Sequence, residues 1–313
     1  MPGMSDIHSS VNTEYAADWL DVPAARRRFE RAAASTAGVD ALAREIERRM
    51  AERLELIRIA PDSILDAGCG LGAGSAMLRK RYPQARVIGV DSACRVLRQA
   101  VLSRSFRTRV RQFFSDGAPL SICGDICDLP LTTGTISMAW SNLALAWTPE
   151  PMRAFGEVAR VLAPGGLLMF SSYGPDTLKE LRAAFANADA SAHVHPFIDM
   201  HDLGDMLVAS GFVTPVMDME TVTLTYASFE GLSRDLRLSG QSNAARDRAR
   251  GMLGRGRFSR MRAAYEAARK DGRLPATIEV IYGHAWRGEP RVAKDGRAII
   301  QLKMPVRRSL KQR

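Results

Sequence analysis

Acidic residues and glycines stand directly after three apolar runs of the sequence, where an alternating α/β chain can bind a nucleoside. The loop from Asp66 to Gly72 contains three glycines, Asp91 ends the second run, and Asp125 follows the third. Glycine lets the backbone turn tightly and approach a ligand closely. We therefore interpret the loop, through Gly68 and Gly70, as a cofactor site.

The acid at the head of this loop distinguishes two kinds of nucleotide cofactor. A Gly-x-Gly sequence also suits a dinucleotide, whose pyrophosphate binds at a helix N-terminus. Asp66 would repel a pyrophosphate, whereas it can position the amino group of a methionine-type ligand. The sequence therefore favours a methionine-type nucleoside with Asp66 among its contacts.

The two later acids suit the ribose and the adenine of such a ligand. Asp91, with Ser92 beside it, can accept hydrogen bonds from both ribose hydroxyls. Asp125 can accept from the adenine amino group while Ile126 packs on the ring. Each also has a structural interpretation, as a helix N-cap at Asp91 or Ser92 and as a turn aspartate at Asp125.

A fourth segment follows the fourth predicted strand and reads Trp140-Ser141-Asn142-Leu143-Ala144. Ser141 and Asn142 are predicted to contact the cofactor where its reacting group projects, and Asn142 is also a candidate catalytic residue. Trp140 has a second interpretation as a core residue, because large aromatic side chains on strands are usually buried.

The elements that must position these residues alternate between strand and helix. Such alternation predicts a doubly wound, parallel α/β sheet with right-handed crossovers. The strands are predicted at Ser63–Asp66, Ala85–Val90, Leu120–Cys123, Thr135–Ser141 and Leu167–Ser172, and the helices between them at Ser75–Tyr82, Ala93–Ser103 and Pro151–Leu162.

The flanking segments divide the chain further. We expect an N-terminal helical segment at 1–58, the cofactor-binding core at 59–226, a helical insertion at 227–275, the last core strand at 276–288 and a basic tail at 289–313. Because the insertion separates two strands of the sheet, it is predicted to form a lid over the site.

The charge balance is basic, with 44 Lys and Arg residues against 34 Asp and Glu residues and a net charge of +10. Solvated helix faces, nucleic acid and an acidic protein or substrate all remain compatible with this excess. A nucleic-acid amino methyltransferase usually has an Asn/Asp-Pro-Pro-Tyr/Phe loop after the fourth strand. Ser-Asn-Leu-Ala stands there instead, so nucleic acid is disfavoured.

Cysteines and apolar runs indicate the compartment. The sequence has no apolar run of about 18 residues that could span a membrane, and residues 1–15 do not resemble a signal peptide. Its four cysteines form no Cys-x-x-Cys pair, so we expect reduced thiols, a cytoplasmic location and no membrane contact. His193 and His195 lack further ligands nearby, and no metal site is predicted.

The order and spacing of the four segments resemble the class I S-adenosylmethionine-dependent methyltransferases over residues 60–172. Leu162-Ala163-Pro164-Gly165-Gly166 resembles the turn before their fifth strand. The resemblance implies S-adenosylmethionine as cofactor. It also implies a Rossmann-like, seven-stranded, mostly parallel sheet with helices on both faces, in which the order of the last two strands makes the sheet mixed.

Two further stretches resemble the malonyl-acyl-carrier-protein methyltransferases of biotin synthesis. They are Phe29-x-Arg31-Ala32-Ala33-Ala34 and the segment from Trp140 to Trp147, although Thr36 replaces a tyrosine common in that family. The resemblance implies methyl transfer to the free carboxyl of a malonyl thioester on an acidic acyl carrier protein. It also places Arg31 at the cofactor site.

Such a reaction needs no general base, because the carboxylate is already ionised near neutral pH. It needs a cation that steers the carboxylate, and the fork of an arginine suits this task. Arg246 in the insertion is the candidate catalytic arginine, with Arg31 and Arg153 as alternatives.

A second family also resembles parts of the chain, namely the complex I assembly factors that hydroxylate a protein arginine. The similar segments are Gly174-Pro175-Asp176-Thr177-Leu178, His195-x-Phe197 and Gln241-Ser242-Asn243. A hydroxylase or assembly factor of the same fold, a small-molecule methyltransferase and a cofactor-binding protein without catalysis therefore remain alternatives.

Overall fold

The computed structural model describes residues 19–33, 41–102, 120–251 and 253–289. Within these ranges, no helix is long and apolar enough to cross a membrane. The strands are β1 (Ser63–Ala67), β2 (Arg86–Asp91), β3 (Leu120–Cys123), β4 (Ile136–Asn142), β5 (Leu162–Tyr173), β6 (Phe212–Tyr226) and β7 (Leu274–Arg287).

The described helices alternate with these strands and flank them. They are α1 (Val22–Ala32), α2 (Ala41–Glu55), α3 (Ala73–Arg81), α4 (Cys94–Leu102), α5 (Pro151–Val161), α6 (Lys179–Ala186), α7 (Met200–Ala209), α8 (Phe229–Leu238) and α9 (Arg255–Glu266), with a 3₁₀ turn at Ala144–Trp147.

The seven strands form one mixed sheet in the order β3-β2-β1-β4-β5-β7-β6. The first five strands pair in parallel, and β7 runs antiparallel to both β5 and β6. The order reverses between β1 and β4, which is where doubly wound sheets bind ligands at the carboxyl ends of their strands. The predicted fold is confirmed.

Alternating side chains of β5 supply both faces of the sheet, because successive strand residues point to opposite sides. Met169 packs in the cluster that contains Met50 of α2. Leu168 and Phe170 pack in the other cluster, with Phe155 of α5. Helices therefore cover both faces, and buried strands of this kind read as continuous apolar runs.

The N-terminal helical segment is anchored by the apolar residues whose spacing predicted a helix. Ile46, Met50 and Leu54 are the buried residues of α2, at spacings of four, which aligns them on one helix face. Residues 1–18 of the segment lie outside the described residues, as does most of the basic tail from residue 290.

The Pro164-Gly165-Gly166 turn is part of a strand rather than a boundary. Strand β5 begins at Leu162, and its register with β4 shifts between Ile136 and Met138. Gly165 has a φ of 74°, a value that glycine adopts without strain. The segment is an irregularity within β5, and the predicted start of the strand at Leu167 was too late.

The described part of the insertion between β6 and β7 contains two helices, separated by a segment that starts near Gly240. Helix α8 ends where Gly240 takes a φ of 77°, and α9 begins only at Arg255. Helix α9 packs against α6. The last strand starts at Leu274, two residues before the predicted boundary.

The expectation of four reduced thiols is wrong for two of them. Strands β2 and β3 pair with Asp91 opposite Cys123, and this register brings Cys94 alongside. Cys94 and Cys123 form a disulfide with their Cα atoms 5.3 Å apart. Cys69 and Cys127 are free and buried.

We expect thiol titration of the unfolded, unreduced chain to detect two thiols, rising to four after reduction, since two of the four cysteines are free. A Cys94→Ser variant is the control, because it leaves Cys123 without a partner and should give equal counts before and after reduction. Four thiols in the unreduced wild type would contradict the pairing.

Candidate active site

A cavity of about 840 Å³ opens at the carboxyl ends of β1 to β4. The sequence-predicted residues that border it are Gly68, Gly70, Asp91, Ser92, Asp125, Ile126 and Asn142. The parallel strands bring these residues together because their carboxyl ends meet at one edge of the sheet. Asp66, Ser141, Arg31 and Arg246 do not line the cavity.

The glycine loop is tied to the end of the neighbouring strand. Backbone N–H groups of Gly68 and Cys69 donate to the Val90 carbonyl at 2.8 and 3.1 Å. Gly68 and Gly70 have φ values of 79° and 51°. A Cβ on Gly68 would overlap Ala144, whereas a Cβ on Gly70 would point into open space. The loop therefore leaves room for a ligand next to its backbone.

Asp91 combines the two roles considered from the sequence. Its Oδ2 accepts from the Gly70 N–H at 2.9 Å, and its Oδ1 accepts from the Ala93 N–H at 2.7 Å. Burial raises the pKa of Asp91, while these hydrogen bonds and Arg26 oppose the rise. Each carboxylate oxygen can accept a further hydrogen bond, so Asp91 can hold the loop and a pair of hydroxyls together.

Asp125 is likewise both a turn residue and a cavity residue. Its Oδ1 accepts from the Cys127 N–H at 2.9 Å, which is the local bond expected of an aspartate in a turn. Ile126 borders the cavity beside it. The pair offers an acceptor next to an apolar surface, as an adenine requires.

Asn142 is fixed at the carboxyl end of β4 by both ends of its amide. Its Nδ2 donates to the Ala43 carbonyl at 3.0 Å, and its Oδ1 accepts from Ser171 at 2.7 Å. The preceding Ser141 is buried, and its hydroxyl has no hydrogen-bond partner among the described residues. Successive strand residues face opposite sides, which separates Ser141 from the cavity.

Asp66 supports the glycine loop from the protein interior. The side chain is 3 % exposed and accepts from the Ser75 hydroxyl at 2.6 Å. Burial raises the pKa of Asp66 to about 6. Because Asp66 does not border the cavity, its predicted direct contact with the cofactor is replaced by a bond between β1 and α3.

The two predicted arginine contacts also lie elsewhere. Arg31 is exposed and donates to the Arg27 carbonyl, while Arg26 lines the cavity. Residues five apart on a helix differ by about 140° in direction, so α1 cannot present both arginines to one cavity. The Arg246 side chain is exposed, and the backbone N–H of Arg246 donates to the Trp19 carbonyl at 2.8 Å.

Arg153, the remaining alternative, lines the cavity beside Asp125 and Ile126. It donates to Glu150 at 3.2 Å, and this partner offsets its charge. Of the arginines that the structure describes, Arg26 and Arg153 are those that border the cavity.

At the other end of the cavity, five ring side chains form what we call the aromatic wall, namely Phe29, Trp147, Tyr173, His195 and Phe197. The sequence motifs did not predict that these residues would lie together. The Trp147 ring centroid lies 5.0 Å from that of Phe29 and 4.8 Å from that of His195. Phe197 lies 5.4 Å from Tyr173 and 5.9 Å from His195. These residues come from distant segments, so their spacing carries no periodic signal.

The insertion covers this end only in part. Leu232 and Leu236 of α8 line the cavity, and Gln241 and Asn243 continue the lining after the helix. The Tyr173 hydroxyl donates to Gln241 Oε1 at 2.9 Å, which ties the insertion to β5. Helix α9 contributes no lining residue, so the part of the insertion that lines the cavity is α8 and the segment that follows it.

No group of three or more His, Cys, Asp or Glu side chains in the described part of the chain is arranged to hold a metal. Residues 65–170, which include the glycine loop, Asp91 and Asp125, match the family model described as "Methyltransferase domain".

Solved structures share the fold at low sequence identity. The YcgJ protein of Bacillus subtilis has a TM-score of 0.53 and 13 % identity, with 77 % of this chain and 98 % of that chain covered. A putative methyltransferase of Bacillus halodurans has a TM-score of 0.53 and 16 % identity, covering 77 % and 99 %. Together with the domain match, fold and cavity define an S-adenosylmethionine-dependent methyltransferase.

Similarity along nearly the whole chain gives the family. A malonyl-[acyl-carrier protein] O-methyltransferase of Laribacter hongkongensis is 49 % identical, covering 91 % of this chain and 96 % of the relative. A protein of the same name from Methylovorus sp. is 47 % identical, covering 91 % and 95 %. The chain belongs to the malonyl-acyl-carrier-protein O-methyltransferase family.

Replacing Asp91 tests the proposed ribose contact. Asp91→Asn should weaken S-adenosylmethionine binding by about 1–3 kcal/mol, because an amide offers fewer acceptor positions to the hydroxyls and the loop. Isothermal titration calorimetry measures the change. Asp205→Asn, on the exposed side of α7, is the matched control and should bind as the wild type does. Equal affinity of both variants would reject the ribose role.

Proposed function

We propose that this protein transfers a methyl group from S-adenosylmethionine to the free carboxyl of malonyl-acyl-carrier protein, an early step of biotin synthesis. The observation that carries the proposal is one continuous cavity, which joins the glycine loop and Asp91 to the aromatic wall. The activity named for relatives of 49 % and 47 % identity is the same.

The chain's residues hold the cofactor at one end of this cavity. Gly68 and Gly70 leave space beside the backbone, Asp91 accepts from the ribose, and Asp125 with Ile126 receives the adenine. When bound, S-adenosylmethionine supplies a methyl group that a carboxylate oxygen attacks in line.

The protein contributes alignment rather than proton transfer, because the acceptor carboxylate is ionised near neutral pH without a base. The wall formed by Phe29, Trp147 and Tyr173 excludes water from the acceptor, and exclusion of water strengthens the remaining electrostatic contacts. Asn142, with both ends of its amide fixed, holds the end of β4 against α2. A rigid site of this kind accelerates a displacement by orientation.

The reaction itself can be tested directly. Incubation with methyl-labelled S-adenosylmethionine and malonyl-acyl-carrier protein should yield a base-labile methyl ester on the carrier protein. Acetyl-acyl-carrier protein, which lacks the free carboxyl, is the control and should remain unlabelled. Rescue of a biotin auxotroph should accompany the ester. Absence of ester from a protein that binds the cofactor would contradict the proposal.

The partner carrier protein is expected to be acidic, and exposed arginines lie near the cavity to receive it. Arg26, Arg27 and Arg31 are exposed on α1, and Arg26 also lines the cavity. The segment with exposed Arg246 and Arg250 pairs with the chain before α1, through the Leu20–Ala245 bridge. Complementary charge of this kind accelerates encounter and orients a partner.

Charge reversal on this surface should weaken carrier-protein binding selectively. We expect Arg27→Glu with Arg31→Glu to raise KM for malonyl-acyl-carrier protein about tenfold at low salt, since each exposed pair is worth about 0.2–1 kcal/mol and reversal adds repulsion. KM for malonyl-pantetheine should stay constant. Arg86→Glu is the control, because Arg86 lies at the amino-terminal end of β2, away from the cavity. Equal effects on both substrates would refute this docking surface.

A further inference from the structure

His195 lies in the wall of the cavity but has no part in the cofactor site. It stands between α6 and α7, is 3 % exposed and borders the cavity. The rings of Trp19 and Trp147 lie 5.3 and 4.8 Å from its own. An imidazole so enclosed is held in one orientation, and its two nitrogens therefore have separate surroundings.

One of these nitrogens is occupied by the backbone. The Ala244 N–H donates to His195 Nε2 at 2.7 Å, so Nε2 must carry a lone pair. A neutral imidazole has one N–H, which is then at Nδ1. Burial, with the charges of Arg28 and Arg248, lowers the pKa of His195 to about 4. The ring is thus neutral near pH 7 and a donor at Nδ1.

The Nδ1 atom is free to donate to a molecule in the cavity. Within the described residues the Nδ1 N–H donates no hydrogen bond, and the Nδ1 atom is not fully enclosed by protein. Because His195 borders the cavity, this unpaired donor is available to a molecule at the acceptor end.

Gln241 offers a second neutral donor beside the same wall. Its Oε1 accepts from Tyr173 at 2.9 Å, which leaves the amide NH₂ as the group that can donate. Gln241 and His195 both border the cavity.

The charges that act on His195 are both positive. Arg248 is paired with Asp21 at 2.8 Å, but Arg28 has a buried terminal nitrogen without a hydrogen-bond partner in the described part of the chain. The positive charges of both arginines help to lower the pKa of His195. Asp235 also lines the cavity, and its negative charge, after burial, helps to raise the pKa of Tyr226.

We propose that His195 Nδ1–H and the Gln241 amide hold one oxygen of the acceptor carboxylate and thereby select a malonyl group. This inference rests on the proposed function. Neutral donors suit the reaction better than a bidentate arginine, which would engage both oxygens. With one oxygen held, the second remains available to attack, and the surrounding positive charge keeps the carboxylate ionised.

Two substitutions at His195 separate this role from a purely structural one. Asn places an amide nitrogen near the Nδ1 position and removes the acceptor for Ala244, whereas Gln places an oxygen near the Nε2 position and removes the Nδ1 donor. We expect His195→Gln to raise KM for malonyl-acyl-carrier protein about tenfold or more, and His195→Asn to raise it about threefold or less.

The binding of the acceptor alone gives a readout that does not depend on turnover. Malonyl-pantetheine, titrated into protein saturated with S-adenosylhomocysteine, should show the same ranking, while the affinity for S-adenosylhomocysteine stays constant. His201→Gln, exposed on α7, is the matched control. The reverse ranking, or equal behaviour of the two His195 variants, would overturn the proposal.

Gln241→Glu provides an independent test. The substitution keeps an oxygen that can accept from Tyr173 but puts a negative charge beside the acceptor carboxylate, so KM should rise about tenfold or more with little change in melting temperature. An unchanged KM would refute the role of Gln241. Absence of ester with the wild type would instead refute the proposed function, which keeps the two failures distinct.

Discussion

The register between β1 and β2 is the constraint on which the cofactor site depends. Ala67 pairs with Val90, and the next two N–H groups, of Gly68 and Cys69, donate to the Val90 carbonyl. These bonds place the glycine loop beside Asp91, whose carboxylate then accepts from Gly70. A shift of one residue would exchange the sides to which the side chains point and separate the loop from the acid.

The parts of the site that follow strand ends could be predicted from the sequence, because a parallel sheet gathers the carboxyl ends of its strands at one edge. Asp91, Asp125 and Asn142 border one cavity for this reason. Asp66 and Ser141 also stand at strand ends, but pleating and loop path turn them into the interior. The type and order of these residues were therefore informative, whereas their side-chain directions depended on the tertiary structure.

Of the three candidate arginines, Arg153 borders the cavity whereas Arg31 and Arg246 do not, because charge and proximity in sequence do not determine helix phase. Arg31 belongs to a recognisable motif, yet Arg26 is the arginine of α1 that lines the cavity. Arg246 lies on a segment whose path is fixed by pairing with the chain before α1. The disulfide escaped prediction for a related reason, since it follows from the pairing of Asp91 with Cys123 rather than from cysteine spacing.

The acceptor end is assembled from segments that no local pattern links, and the contacts proposed there are neutral donors rather than an arginine. A carboxylate needs a counter-charge to bind in a low dielectric, but a direct ion pair would also reduce its reactivity. The enclosed wall resolves this conflict by separating the two tasks. Arg28 and Arg248 supply positive potential around His195, while His195 and Gln241 offer neutral hydrogen bonds. Binding and nucleophilicity can then be satisfied in the same site, because charge stabilises the anion without occupying both of its oxygens.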